Sequence, residues 1–304
     1  MTIVVAGSTG LVGSAIFELL KERGEDVVGI NSKVVNLLDR DATFSFLADI
    51  KPEVVIDAAA IVGGIGSNNR FPVDFLSKNI QIQTNLMDAA HASNVERFVF
   101  LGSSCIYPRD SQQPIKEEYL MTGKLESTNS AYAVAKIAGI ELITSYRKQF
   151  GRSWISLMPT NMYGPRDNFD LETSHVLPAF INRFVSAKKS SSKEVVLWGT
   201  GAPKREFLHS RDLASAVLFA VEKYDSDLHL NVGVGADISI KDLAEMVSAI
   251  AGFEGAIAWD HSKPDGTPRK VLDVSRINSM GWSPAIPLES GIRETVRWFE
   301  ANYN

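Results

Sequence analysis

Through the first half of the chain, short β-branched runs alternate with longer stretches in which apolar residues recur every three or four positions. Residues 3–6 form the first run. Residues 11–23 follow, with Leu11, Ala15, Ile16, Leu19 and Leu20 on one helical face and Gly24 as the stop. The same alternation predicts strands at 26–30, 54–58, 98–101 and 154–158, and helices at 39–50, 74–92 and 130–150. Runs apolar on both faces, such as VVIDAAA, suit central strands covered on both sides. The pattern predicts an α/β fold: a Rossmann-type, doubly wound parallel sheet with helices on both faces.

After Pro159 the pattern loosens. Residues 161–173 are rich in Pro, Gly, Asp and Asn and read as a loop, and 188–193 (KKSSSK) as a polar, mobile surface turn. Helices are expected at 176–187, 211–222, 240–251 and 288–303, with short strands at 195–198 and 228–232. A Rossmann domain over 1–165 is therefore expected, with 206–222 returning to it, and a smaller α/β substrate lobe over 166–304.

The chain has 304 residues, enough to bury a full core. Its net charge of −5 and lack of a basic run argue against a nucleic-acid partner, though a few cations in one cleft could still hold a small anion. The single cysteine, Cys105, rules out an intrachain disulfide. The opening TIVVAG does not resemble a secretory leader, and no apolar run approaches the ~20 residues of a membrane span. A soluble cytoplasmic protein is expected.

Gly7-Ser8-Thr9-Gly10-Leu11-Val12-Gly13 gives G-x-x-G-x-x-G between the first strand and the first helix. Glycines let the backbone approach a pyrophosphate, and the helix N-terminus offers free N–H groups to it. After the second strand stands Asn31-Ser32-Lys33, with no carboxylate to accept from a ribose 2′-hydroxyl. That favours NADP(H), with Lys33 either pairing with the 2′-phosphate or remaining a solvated surface lysine. Asp39 is either a helix N-cap or a contact for the adenine amino group.

Tyr132 and Lys136 form Y-x-x-x-K at the start of the 130–150 helix, a spacing that puts both on one face. A nearby ammonium lowers a phenol's pKa, so Tyr132 is expected to titrate more easily than a free tyrosine. Ser103 follows the fourth strand, where parallel sheets place their chemistry. Ser103, Tyr132 and Lys136 resemble the triad of extended short-chain dehydrogenases/reductases. On the sequence alone Cys105 and His175 read first as structural residues, since a free cysteine is among the most buried residue types; a thiol near a cation ionises readily and imidazole titrates near neutrality, so chemistry leaves room for another role for each.

The stretches AAAIVGGIGSNN, FLGSSCIYP, MTGKLESTN, YAVAKIAGI, MPTNMYGPRDNF, SHVLPAFINR, REFLHSRDLA and KPDGTPRK resemble the GDP-L-fucose synthase family (GDP-4-keto-6-deoxy-D-mannose 3,5-epimerase/4-reductases) over nearly the whole chain. The resemblance implies epimerisation at C3 and C5 by Cys105 and His175, followed by NADPH-dependent reduction at C4. In the reduction, Tyr132 would protonate O4, Ser103 would hydrogen-bond it and Lys136 would hold the nicotinamide ribose. It also implies cofactor contacts from Leu101, Gly102, Pro159, Asn161, Met162 and His175. Arg183, Trp198, Arg205, Asp265 and Lys270 would bind a GDP-linked 4-keto sugar. As bland alternatives, Arg183 is a surface charge on an amphipathic helix and Asp265 forms a Pro-Asp-Gly turn. The chain departs from the family where it has Thr9 and Ser32 in place of basic residues, which leaves Lys33 as the cation for a 2′-phosphate. A homodimer through the 74–92 and 130–150 helices is expected by analogy. The rival readings are an epimerase or 4-reductase acting on another GDP-4-keto sugar, such as a heptose or dideoxy sugar, and a non-catalytic dinucleotide sensor.

Overall fold

Five β-branched or aromatic runs become the first strands of a parallel sheet: β1 (Thr2–Ala6), β2 (Asp26–Ile30), β3 (Val54–Asp57), β4 (Arg97–Leu101) and β5 (Ile155–Pro159). The computed structural model describes residues 1–263 and 265–303, excluding the Ile65 side chain. A sixth strand, Leu230–Val232, joins the edge, so the order is Leu230–Val232, β5, β4, β3, β1, β2. Every pairing is parallel. The chain order reverses between β1 and β3, and ligands of open α/β sheets bind in the crevice beyond such a switch point.

Helices α1 (Leu11–Glu22), α2 (Arg40–Ile50), α3 (Ile65–Arg70), α4 (Asn79–Ala92) and α5 (Ser130–Phe150) belong to this half. Asp39 caps α2 by accepting from the Ala42 N–H at 3.0 Å, and Gly151 ends α5 at φ +68°. The expected 74–92 helix opens with a wide π-helical turn at Asp74–Lys78 before becoming α4. The six-residue α3 has no counterpart in the sequence reading, because GIGSNNR carries no apolar period.

A second apolar core, separate from the one around the sheet, includes Tyr163, Phe169, Phe184, Leu243, Ile292 and Phe299. The helices α6 (Val176–Lys189), Ile240–Ala251 and Leu288–Asn302 enclose it. The helix at 176–187 therefore runs two residues further, into the segment read as a mobile turn. Helix Ser210–Lys223 instead contributes Leu213, Ala214 and Val217 to the first core.

The stretch 161–173, read as loop, contains a strand. Asn161–Tyr163 pairs in parallel with Phe207–His209, a contact invisible to local composition. Two further short strands also went unread: Lys204–Arg205 pairs in parallel with Arg269–Lys270, which sets Lys270 opposite Arg205. No helix among the described residues is long and apolar enough to cross a membrane.

Candidate active site

The glycine loop turns directly beneath β3. Gly7 has φ +75°, and a Cβ there would lie 2.7 Å from the Ala58 carbonyl oxygen. A Cβ on Gly13 would lie 2.1 Å from the Gly7 oxygen, so only glycine lets α1 start this close to the turn. Gly10 donates to Gly7 O at 3.0 Å and stands at the N-cap of α1 with no capping side chain, leaving the first N–H groups open to an anion. Ser8 is tied to Ile30 O through its N–H and its hydroxyl, Thr9 is exposed, and Leu11 and Val12 begin the helix half-buried.

Beyond β2, the Asn31 carboxamide oxygen accepts from the Lys33 N–H at 2.9 Å, and Ser32 and Lys33 are exposed. Of the two readings of Asp39, the structure shows the N-cap. The cradle that a Cβ would fill, and a ribose end carrying Lys33 rather than a carboxylate, fit a dinucleotide with a 2′-phosphate.

Ser103, Tyr132 and Lys136 converge at the ends of β4 and α5. Tyr132 and Ser103 are hydrogen-bonded, and Phe75 packs edge-on against the Tyr132 ring at 6.3 Å. Lys136, only 3% exposed, donates to Leu101 O at 2.8 Å and lies 4.7 Å from the centre of the Phe100 ring.

Its ammonium does not act on the phenol as the spacing suggested. Burial foremost, then the Cys105 and Asp57 charges, push the Tyr132 pKa up, against the Ser103 hydrogen bond. The phenol therefore keeps its proton and stands as a donor. Burial lowers Lys136 to about 8, and the nearby Asp57 opposes that shift.

Cys105 lies in the turn after β4. The Asn129 amide donates to its Sγ at 3.3 Å, and Lys270 Nζ is 3.8 Å from the same sulfur. His175 precedes α6 and reaches solvent, yet the walls around it, and then Lys270, hold its imidazole below the ordinary range. Lys270 thus lies beside the thiol, and its charge reaches the imidazole.

Beside it on the paired strand, Arg205 is half-buried. Burial lowers its guanidinium and Asp265 raises it. Asp265 accepts from the Thr200 N–H at 2.9 Å and hydroxyl at 2.6 Å, tying down the turn after Trp198; Pro264 of its motif lies outside the described residues. Trp198 is 67% exposed, with Lys263 over its ring at 5.6 Å. Arg183 is half-buried further along α6. Pro159 is buried at the end of β5, Met162 is half-buried, and Asn161 donates to Glu206 O at 2.8 Å. Gly102 donates to Leu157 O at 2.9 Å.

Three residues escaped the sequence reading. Asp57, 1% exposed at the end of β3, accepts from the Ala59 N–H at 3.1 Å, while its other oxygen has no partner among the described residues. Asn129 contacts the thiol. Glu206, fully buried, accepts from the Val234, Gly235 and Leu272 N–H groups and so fixes the backbone just after Lys270. An ionisable residue inside an apolar run is a usable signal for Asp57 in VVIDAAA. Nothing local marks the other two.

Residues 3–233 match the NAD dependent epimerase/dehydratase family, which sets the class of protein: an enzyme of the dinucleotide-binding α/β type. A probable GDP-L-fucose synthase 1 of Oryza sativa subsp. japonica is 52% identical over 99% of this chain and 92% of its own. Among solved structures, a GDP-6-OMe-4-keto-L-xylo-heptose reductase from C. jejuni superposes with TM-score 0.93 at 34% identity, covering 99% of this chain and 97% of that one. A GDP-L-fucose synthetase from Naegleria fowleri bound to NADP superposes with TM-score 0.91 at 31% identity, over 99% and 94% of the two chains. The chain belongs to the GDP-L-fucose synthase family.

Proposed function

We propose that this protein converts a GDP-4-keto-6-deoxy-D-mannose-type sugar to GDP-L-fucose by 3,5-epimerisation and NADPH-dependent 4-reduction. The observation that carries the reading is the Lys270 ammonium, 3.8 Å from the Cys105 sulfur and with its charge reaching His175, while Cys105 in turn lies close enough to act on Tyr132. These links support a single site shared by thiol, imidazole and phenol.

The first core is the cofactor domain and the second belongs to the substrate lobe. Gly7 to Gly13 cradle the pyrophosphate, Lys33 meets the 2′-phosphate, and Lys136 reaches the nicotinamide ribose. Arg205, Lys270 and Arg183 face the diphosphate of GDP, and Trp198 lies beside the nucleotide. The sugar's 4-keto group acidifies the hydrogens at C3 and C5. Cys105 and His175 act from opposite faces, one removing each proton and the other returning one. Burial, and then the Lys270 charge, depress the His175 imidazole; bound phosphates offset the second of these and so favour its protonated form. NADPH, when bound, supplies the hydride to C4. Tyr132 gives its proton to O4 while Ser103 holds that oxygen. The active form is a homodimer built on α4 and α5.

The test is incubation with GDP-4-keto-6-deoxy-D-mannose in D₂O, with and without NADPH. Deuterium at C3 and C5 in both, with NADPH oxidised and GDP-L-fucose formed only in the first, is expected. Exchange without cofactor use would reduce the protein to an epimerase. NADPH oxidation without exchange would leave a simple 4-reductase, and neither would leave a sensor.

A further inference from the structure

The geometry points to Asn129 as the positioning residue that donates a hydrogen bond to the Cys105 sulfur and so supports its ionised form when the proton leaves. This inference rests on the reading of Cys105 as a proton-transfer group. Asn129 occupies the N-cap position of α5, where an asparagine side chain ordinarily turns back to accept from the N–H groups of the first turn. It makes no capping hydrogen bond here. Its Nδ2 is instead aimed at Cys105 Sγ, 3.3 Å away, and its Oδ1 is buried without a partner among the described residues. The helix thus forgoes a cap, and one buried carbonyl goes unsatisfied, to place an N–H on a sulfur 24 residues away in sequence.

That N–H can only donate. A thiolate accepts a hydrogen bond far better than a thiol, so the contact favours the ionised sulfur. The groups facing this sulfur are Asn129 and Tyr132, at the start of α5, and Lys270, on the Arg269–Lys270 strand, whose charge also reaches His175. Lys270 is also a cation for the substrate diphosphate, so its effect on the sulfur weakens as substrate binds. Asn129 is neutral and makes no such exchange, so its support for the thiolate survives substrate binding.

Cys105 is the only cysteine, so alkylation by iodoacetamide reads its ionisation directly. The full-length enzyme, Asn129→Ala and Asn129→Asp are alkylated across pH 5–10. Asn129→Ala should raise the apparent thiol pKa by about one unit, and Asn129→Asp, which keeps the size but adds a like charge, by more. At neutral pH this slows alkylation about tenfold for Asn129→Ala. Deuterium exchange at C3 and C5 should fall in parallel and recover at higher pH. An unchanged alkylation profile in the folded Asp variant overturns the inference, whatever happens to stability. If instead Cys105→Ser keeps full exchange while the alkylation pKa still moves with Asn129, the catalytic reading of Cys105 fails and the Asn129–thiolate contact stands.

Discussion

Asp57→Asn separates the charge of a buried carboxylate from its shape. The wild-type carboxyl is pushed from 3.8 to about 6, mainly by burial, and Lys136 falls from 10.5 to about 8 for the same reason. Between those values both are charged, each partly offsetting the other's burial. The sign follows from linkage. Asp57's folded pKa is raised, so its contribution to stability is complete below pH 3.8 and is lost as pH rises through about 6, roughly 3 kcal/mol in all. Lys136's folded pKa is lowered, so its contribution is present above 10.5 and is lost as pH falls through about 8.

Asparagine keeps the acceptor for the Ala59 N–H but removes the charge that supports the ammonium. Lys136 should then fall by about one further unit, the lower end of what a close opposite charge supplies. At pH 7.5 its protonated fraction would drop from roughly three-quarters to roughly one-quarter. The assay is the alkaline limb of kcat for reduction of the already epimerised 4-keto sugar, for which the proposed role of Lys136 on the ribose requires a charged ammonium. That limb should move down in pH by about one unit, with little change below pH 6. An alkaline limb identical to wild type would refute the coupling between Asp57 and Lys136.

Other substitutions test the remaining parts. Gly13→Ala forces a Cβ to within 2.1 Å of the Gly7 oxygen and should weaken NADPH binding at least tenfold by fluorescence titration. Glu206→Gln sets an amide N–H₂ against backbone N–H donors and should cost about 2–4 kcal/mol in urea unfolding. It should also raise KM, because the backbone beside Lys270 loses its anchor. Tyr132→Phe should cut reduction by at least a hundredfold while leaving C3 and C5 exchange near wild type, as followed by NADPH absorbance and proton NMR.

The sheet was legible because its signals are local. A β-branched run, a glycine turn and a helical period each lie within a dozen residues, and Tyr132 with Lys136 needs only one helical turn. Strands of two or three residues were not legible. Lys204–Arg205 and Arg269–Lys270 exist only because they pair with each other, and Asn161–Tyr163 because Phe207–His209 lies beside it. The same distinction divides the site. Cys105 and Lys270 are 165 residues apart and meet only after folding. Family resemblance supplied both as candidates but did not join them. Glu206 looked like any acid in REFLHS until three N–H groups closed on it. The lysine–tyrosine expectation failed for a related reason: spacing placed the two side chains on one face, but burial, which raises the phenol, is a property of the whole fold.

A structure with NADP and a GDP-4-keto sugar bound tests the central claim most directly, through the positions of three atoms around one ring. Cys105 Sγ and a His175 nitrogen should lie on opposite faces of the sugar near C3 and C5, with the Tyr132 hydroxyl within ~3 Å of O4. A sugar ring seated away from the sulfur, or with sulfur and imidazole on the same face, would contradict the two-reaction mechanism.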